Sequence, residues 1–319
     1  MIKNGLIKSL APITVALICL ALSASQASAL QASFLYTLSD FTGPIPYGGG
    51  KVFVDKDRNE AYVVYQNSVR VFNDNGLEIY RFGDGNNLGL ISSLAVDRDG
   101  TIFTLSYSLK QEGRTDYAII LCNFRGEPTG RIEIKGLPSG YTDFLPNHMA
   151  YREGRFYLVD ERNLRIVVAD AKGQVQNAYD LLLLLELKEK DRGNVMMDGF
   201  SVDPEGNMLF TIPVLFTASV LTPEGKLTLF GQRGSLPGKF SVVSGIITDN
   251  RGNYLVADKL KSVINIFDKN FNFLMEFGGR GDAPDSLIVP QQLAMDGNDR
   301  LYVIQAGNRG VSVFRMLYN

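Results

Sequence analysis

Histidine occurs once in the 319 residues, as His148, cysteine twice, and tryptophan not at all. A single imidazole cannot supply the two or three histidines that hydrolytic zinc sites ordinarily use. No Gly-x-Ser-x-Gly elbow is present to offer that histidine a serine nucleophile, and no Cys-x-x-Cys-His run is present to attach a haem. Basic residues are not in excess either, at 32 against 34 acidic. Without a basic excess or stripe to meet phosphates, nucleic acid is not an expected partner.

Long apolar runs are also scarce. The one that stands out, residues 13–22, follows Lys3 and Lys8 and precedes the small-x-small triplet Ala27-Ser28-Ala29. A short basic segment, an apolar stretch and a small-residue cleavage site make a signal peptide over residues 1–29, with a mature chain of residues 30–319. The run is shorter than the about 20 residues a spanning helix needs. The expectation is an exported protein, periplasmic or extracellular, with no transmembrane segment in its mature part. Removing Lys3 and Lys8 leaves 30 basic residues against 34 acidic ones, so the mature chain carries about −4. Cys19 goes with the leader, which leaves Cys122 without a disulfide partner. Stability must therefore come from an apolar core, and a chain of this length with 45% hydrophobic residues can bury one.

What the sequence has in quantity is a repeat. An apolar residue, or Thr in one copy, and Asp, then a tight turn, then an alternating apolar strand recur at Val54-Asp55, Val96-Asp97, Val202-Asp203, Thr248-Asp249 and Met295-Asp296. A degenerate copy at Tyr151-Arg152-Glu153-Gly154 has Arg in place of Asp, and the markers are spaced by 42, 55, 51, 46 and 47 residues. Each unit reads as four short strands whose turns carry the Gly, Asp and Asn that such turns favour. Units of this length with four strands are propeller blades, and six of them predict an all-β, six-bladed β-propeller over residues 30–319. The last unit stops one strand short. Residues 34–40 at the other end, Phe-Leu-Tyr-Thr-Leu-Ser-Asp, look like the missing fourth strand, and pairing the two termini would remove two open sheet edges.

Several segments carry a more specific likeness. Gly252-Asn253-Tyr254-Leu255-Val256-Ala257-Asp258, the Asp160/Asn163/Arg165 spacing before Ile166-Val167-Val168, and the connections Phe230-Gly231-Gln232-Arg233-Gly234 and Phe277-Gly278-Gly279-Arg280-Gly281 resemble NHL repeats. The likeness spans most of the mature chain and is weakest over residues 107–150. It implies an NHL-like propeller of the exported bacterial type, a scaffold that hosts binders, assembly platforms and enzymes alike. Some bacterial NHL-like proteins accompany exported redox proteins, which would make this chain a companion to one. NHL-like amidating lyases hold a metal through histidines that this sequence does not have.

Propellers commonly bind at the channel mouth, where the chain enters each innermost strand. Counting back five and four residues from each marker gives Gly50/Lys51, Ser92/Ser93, Asn147/His148, Asp198/Gly199, Ser244/Gly245 and Gln291/Gln292, a ring that is polar or small in every blade. Lys51, Asn147, His148, Asp198, Gln291 and Gln292 are the candidate ligand-binding residues. The favoured function is a binding or assembly module for a protein, peptide or glycan. The alternative is a hydrolase or lactonase with a channel metal, for which Asp198 and Asn147 are the nearest ligands. No cofactor is expected beyond weak Ca²⁺ on one carboxylate and neutral oxygens. A second candidate docking element is the leucine run of residues 181–185, followed by Glu186-Leu187-Lys188-Glu189-Lys190. It reads as a short surface helix after a fourth strand.

Overall fold

A computed structural model describes residues 30–46, 50–84, 88–109, 115–187, 193 and 195–318. The leader assigned to residues 1–29 lies outside them. The described residues form six four-stranded antiparallel sheets and a two-stranded ribbon, Ser39–Asp40 with Gly43–Pro44. From the innermost strand outward, the first blade comprises Lys51–Asp55, Glu60–Tyr65, Ser68–Phe72 and Glu78–Phe82. Blades two to five repeat the meander, beginning at Leu90–Val96, His148–Arg152, Gly199–Val202 and Val243–Thr248. The sixth runs Pro290–Met295, Arg300–Gln305, Val311–Tyr318 and then Leu30–Thr37 from the opposite end of the chain. Every innermost strand touches those of both neighbouring blades, the sixth touching the first, so the ring is closed.

The second strands explain why this sequence stacks its sheets around an axis. Along Ala61-Tyr62-Val63-Val64, Ala61 and Val63 pack toward blade six with Tyr302 and Ile304, whereas Tyr62 and Val64 pack toward blade two with Leu94 and Ile102. Strand side chains alternate in direction, so a blade covered on both faces needs a continuous apolar run. Six such apolar clusters are present, one at each blade interface. At the end of four innermost strands the marker aspartate ties down its own turn: the Oδ1 atoms of Asp55, Asp203, Asp249 and Asp296 each accept two backbone N–H bonds.

The closing strand is seen as expected in its pairing and shifted in its bounds. Leu30 faces Tyr318 and Phe34 faces Phe314, with a bulge between Phe34 and Tyr36. The strand spans Leu30–Thr37 rather than 34–40, because Leu30, Ala32 and Phe34 supply apolar faces to the cluster between blades five and six. Blade two owes its 55-residue spacing to two eight-residue strands, Ile102–Leu109 and Thr115–Cys122, and to the connection that follows the blade. After the outermost strand of blade three, Asp180 caps a single turn of helix, Leu181–Leu184, by accepting N–H bonds from Leu182 and Leu183. Leu181 is buried in the interface with blade four.

Candidate functional site

The connections into the innermost strands and the hairpins between second and third strands share one face. Aspartates stitch them together: Asp160 Oδ2 accepts from Leu145 N and Asp258 Oδ2 from Ser241 N, while their Oδ1 atoms hold their own turns. In blade six Gln305 takes this place, accepting from Ile288 N. These clamps fix the residues that immediately follow them, Glu161 and Lys259, over the axis.

Lys51, His148, Asp198, Gln291 and Gln292 line one cavity of about 200 Å³ at the mouth, together with Gly50, Glu161, Phe200 and Lys259. Below it lies a second cavity of about 210 Å³ whose lining mixes apolar side chains, among them Leu94, Met149, Ile247 and Leu293, with polar ones such as Tyr151, Ser201 and Gln292. His148, Phe200 and Gln292 border both. Asn147 stands behind the mouth, lining a neighbouring hollow with Tyr107 and Asp160. The serines and glycines of the ring do something else. Ser93 bonds the backbone of Met149, Ser244 Oγ donates to Pro290 O, and a Cβ on Gly199 would meet Ser244 O at 2.3 Å. Those positions are small because neighbouring blades approach closely there.

The mouth is a charged network closed on itself. Glu161 Oε2 accepts from Asn147 Nδ2 at 2.5 Å, and its Oε1 lies 3.5 Å from His148 Nδ1. Lys51 Nζ donates to the Asn147 carbonyl at 2.5 Å. Asp198 Oδ2 and Lys259 Nζ form an ion pair of 2.5 Å, each about a quarter exposed. Burial pushes the Lys51 pKa down, with the Glu161 charge acting the other way. Burial works against the Glu161 carboxylate, yet His148, Lys51 and Asn147 together hold its pKa below the ordinary value. His148 is buried between the rings of Phe53 and Phe200 and is lowered chiefly by desolvation. It therefore stays neutral at pH 7, with Nε2 as the nitrogen not turned to Glu161. The Asp198–Lys259 pair thus meets solvent, whereas His148 does not.

Glu161 and Lys259 are absent from the sequence-derived set, although a signal existed: both directly follow the second-strand aspartate of their repeat, in Asp160-Glu161 and Asp258-Lys259. Among the described residues no group of three or more His, Cys, Asp or Glu could hold a metal. A Ca²⁺ ion on Asp198 would have to displace the Lys259 ammonium. Cys122 is buried, and burial pushes its thiol up to about 11, which makes it a poor nucleophile.

Comparison with known proteins places this geometry in context. Solved propellers align with nearly all of it. A protein of unknown function from Bacteroides thetaiotaomicron VPI-5482 matches with a TM-score of 0.62 at 15% identity, over 90% of this chain and 76% of that one. An auxiliary nutrient binding protein from Bacteroides ovatus matches at 0.59 and 12%, over 91% and 77%. Virginiamycin B lyase from Staphylococcus aureus matches at 0.54 and 11%, over 90% and 98%. The likeness is one of fold. In sequence, 69 residues are 33% identical to Protein brain tumor of Drosophila melanogaster, which is 22% of this chain and 7% of that protein. No family model matches the chain.

Proposed function

We propose that this chain is an exported, NHL-type β-propeller that serves as a binding or assembly module and holds its ligand at the channel mouth. The observation that carries the reading is convergence: Lys51, His148, Asp198, Lys259, Gln291 and Gln292, from five of the six blades, border one open cavity above a second cavity in the channel. Few polar groups around a concave site is the usual form of a binding pocket. The nutrient-binding propeller of the same fold supports a binding role. Export is supported by the leader pattern: Lys3 and Lys8, the apolar run of residues 13–22 and the small-x-small triplet Ala27-Ser28-Ala29. Amino-terminal sequencing of protein from the native host tests it: a mature chain starting at Leu30 is expected, and an intact Met1 in the cytoplasm would refute it.

The ligand is a protein, peptide or glycan. Asp198→Ala/Lys259→Ala should weaken its binding by about 1–3 kcal/mol per lost charged partner, measured by calorimetry. A second reading, channel catalysis of the hydrolase or lactonase kind, draws on one observation. Glu161 orients His148 and leaves Nε2 free beside the cavity, the arrangement of a general base and its positioning carboxylate. Turnover of an ester or lactone that falls at least a hundredfold in Glu161→Gln, with ligand affinity retained, would favour it over binding alone.

A further inference from the structure

We infer that the mouth selects a neutral, hydroxyl-bearing ring, a sugar residue of a glycan, over a charged ligand. The inference rests on the binding reading above and concerns the chemistry of that same site. Each charge at the mouth already has an internal partner: Asp198 has Lys259, while Glu161 holds the Asn147 amide and faces His148 and Lys51. A charged ligand group would have to break one of these pairings and strand a charge in a partly buried site, which is costly. Discrimination by leaving a buried charge unpaired is a strong form of selectivity.

What the mouth leaves available suits neutral groups: the Asp198–Lys259 pair keeps carboxylate lone pairs and ammonium protons to which a hydroxyl can bond without breaking the pair, and the other groups are uncharged. Gln292 Oε1 accepts from Val52 N, so its amide donors remain. Gln291 borders the cavity with no hydrogen bond holding its amide among the described residues, and His148 brings Nε2 as an acceptor. Amide donors beside an imidazole acceptor suit hydroxyl groups, which donate and accept at once. Phe200 supplies an apolar wall at the same place, against which the C–H face of a sugar ring can lie. The size agrees: about 200 Å³ is less than the roughly 300 Å³ of the smallest drug-sized pockets and suits one ring, with the rest of a glycan outside. A peptide terminus fits less well, because it brings the charge that the mouth has no free partner for.

The test uses the fact that His148 is the sole histidine, so its imidazole proton signals report on the mouth without assignment. The mature chain is titrated with methyl glycosides of glucose, galactose, mannose and N-acetylglucosamine, with the glucuronate and glucosamine counterparts, and with a Leu-Leu dipeptide. At least one neutral glycoside should shift the His148 signals saturably, and its charged counterparts should bind at least tenfold more weakly. Asp198→Asn, which frees the Lys259 ammonium, should improve glucuronide binding relative to the neutral glycoside at least tenfold. The double variant Asp198→Asn/Lys259→Gln should restore the original preference. Equal or tighter binding of a charged glycoside or the dipeptide to the wild type overturns the neutral-sugar inference and leaves mouth binding intact. If no probe shifts His148, the inference falls. The binding reading falls with it only if Asp198→Ala/Lys259→Ala also leaves capture of the native ligand unchanged.

Discussion

His148 is the residue on which site and stability meet. Its pKa is lowered in the folded state, so the unfolded chain binds the proton more readily, and folding loses stability as pH falls below the unfolded value of about 6.5. Its charged neighbours titrate elsewhere. Glu161, also lowered, loses its contribution only as pH falls below the ordinary carboxylate range, and Lys51 acts on the alkaline side. Urea midpoints measured from pH 7.5 to pH 5.5 should therefore fall in the wild type and change much less in His148→Gln. Equal slopes in the two proteins would contradict the assignment. A second residue sits far from the mouth: Asn265 is fully buried in blade five, and neither atom of its amide has a hydrogen-bond partner among the described residues. An unpaired buried amide costs about 1–3 kcal/mol, so Asn265→Leu should stabilise by about 1–2 kcal/mol and raise Tm by several degrees in a thermal melt. A lowered Tm would mean that the amide is satisfied in solution.

At the scale of the element, the closing strand joins residues more than 270 positions apart, Leu30 with Tyr318 and Phe34 with Phe314. Deleting residues 30–40 uncovers the edge of Val311–Tyr318 and removes the apolar faces of Leu30, Ala32 and Phe34 from their cluster. The truncated chain should lose at least about 3 kcal/mol and aggregate, as read by thermal melting and size exclusion. A monomeric product with unchanged Tm would show that the pairing is dispensable. This element was legible in the sequence because a four-strand repeat that ends on three strands demands a fourth. The marker turns were legible for a similar reason, since Asp and Gly are what the geometry of those turns requires. Its bounds were less legible: Leu30-Gln31-Ala32-Ser33 alternates but falls outside the expected strand, while Ser39 and Asp40, inside it, pair with Gly43 and Pro44 in a ribbon of their own. At the mouth, counting back from each marker locates strand entries such as Lys51 and His148, but it does not reveal which hairpin leans over the axis. Glu161 and Lys259 arrive through such hairpins and were missed. Of the segment that reads as a short surface helix, Leu181–Leu184 form one turn with Leu181 in the core and Leu183 and Leu184 exposed, while residues 188–190 lie outside the described residues.

For the whole molecule, the ring brings a polar, charge-compensated mouth over a second cavity in the channel, and that mouth is where binding is proposed. The competing surface is the leucine turn at the rim, which is exposed enough to dock a partner. The two are separable because Asp198 and Lys259 are partly exposed and Leu183 and Leu184 stand clear of the core, so neither pair is needed to hold a blade together. The deciding measurement is the affinity of the ligand captured by the mature chain from its native host, determined for the wild type, Asp198→Ala/Lys259→Ala and Leu183→Ser/Leu184→Ser. Mouth binding predicts a loss of at least tenfold in the Asp198/Lys259 variant and wild-type affinity in the leucine variant. Wild-type affinity in the Asp198/Lys259 variant, with loss in the leucine variant, would contradict it and move the site to the rim.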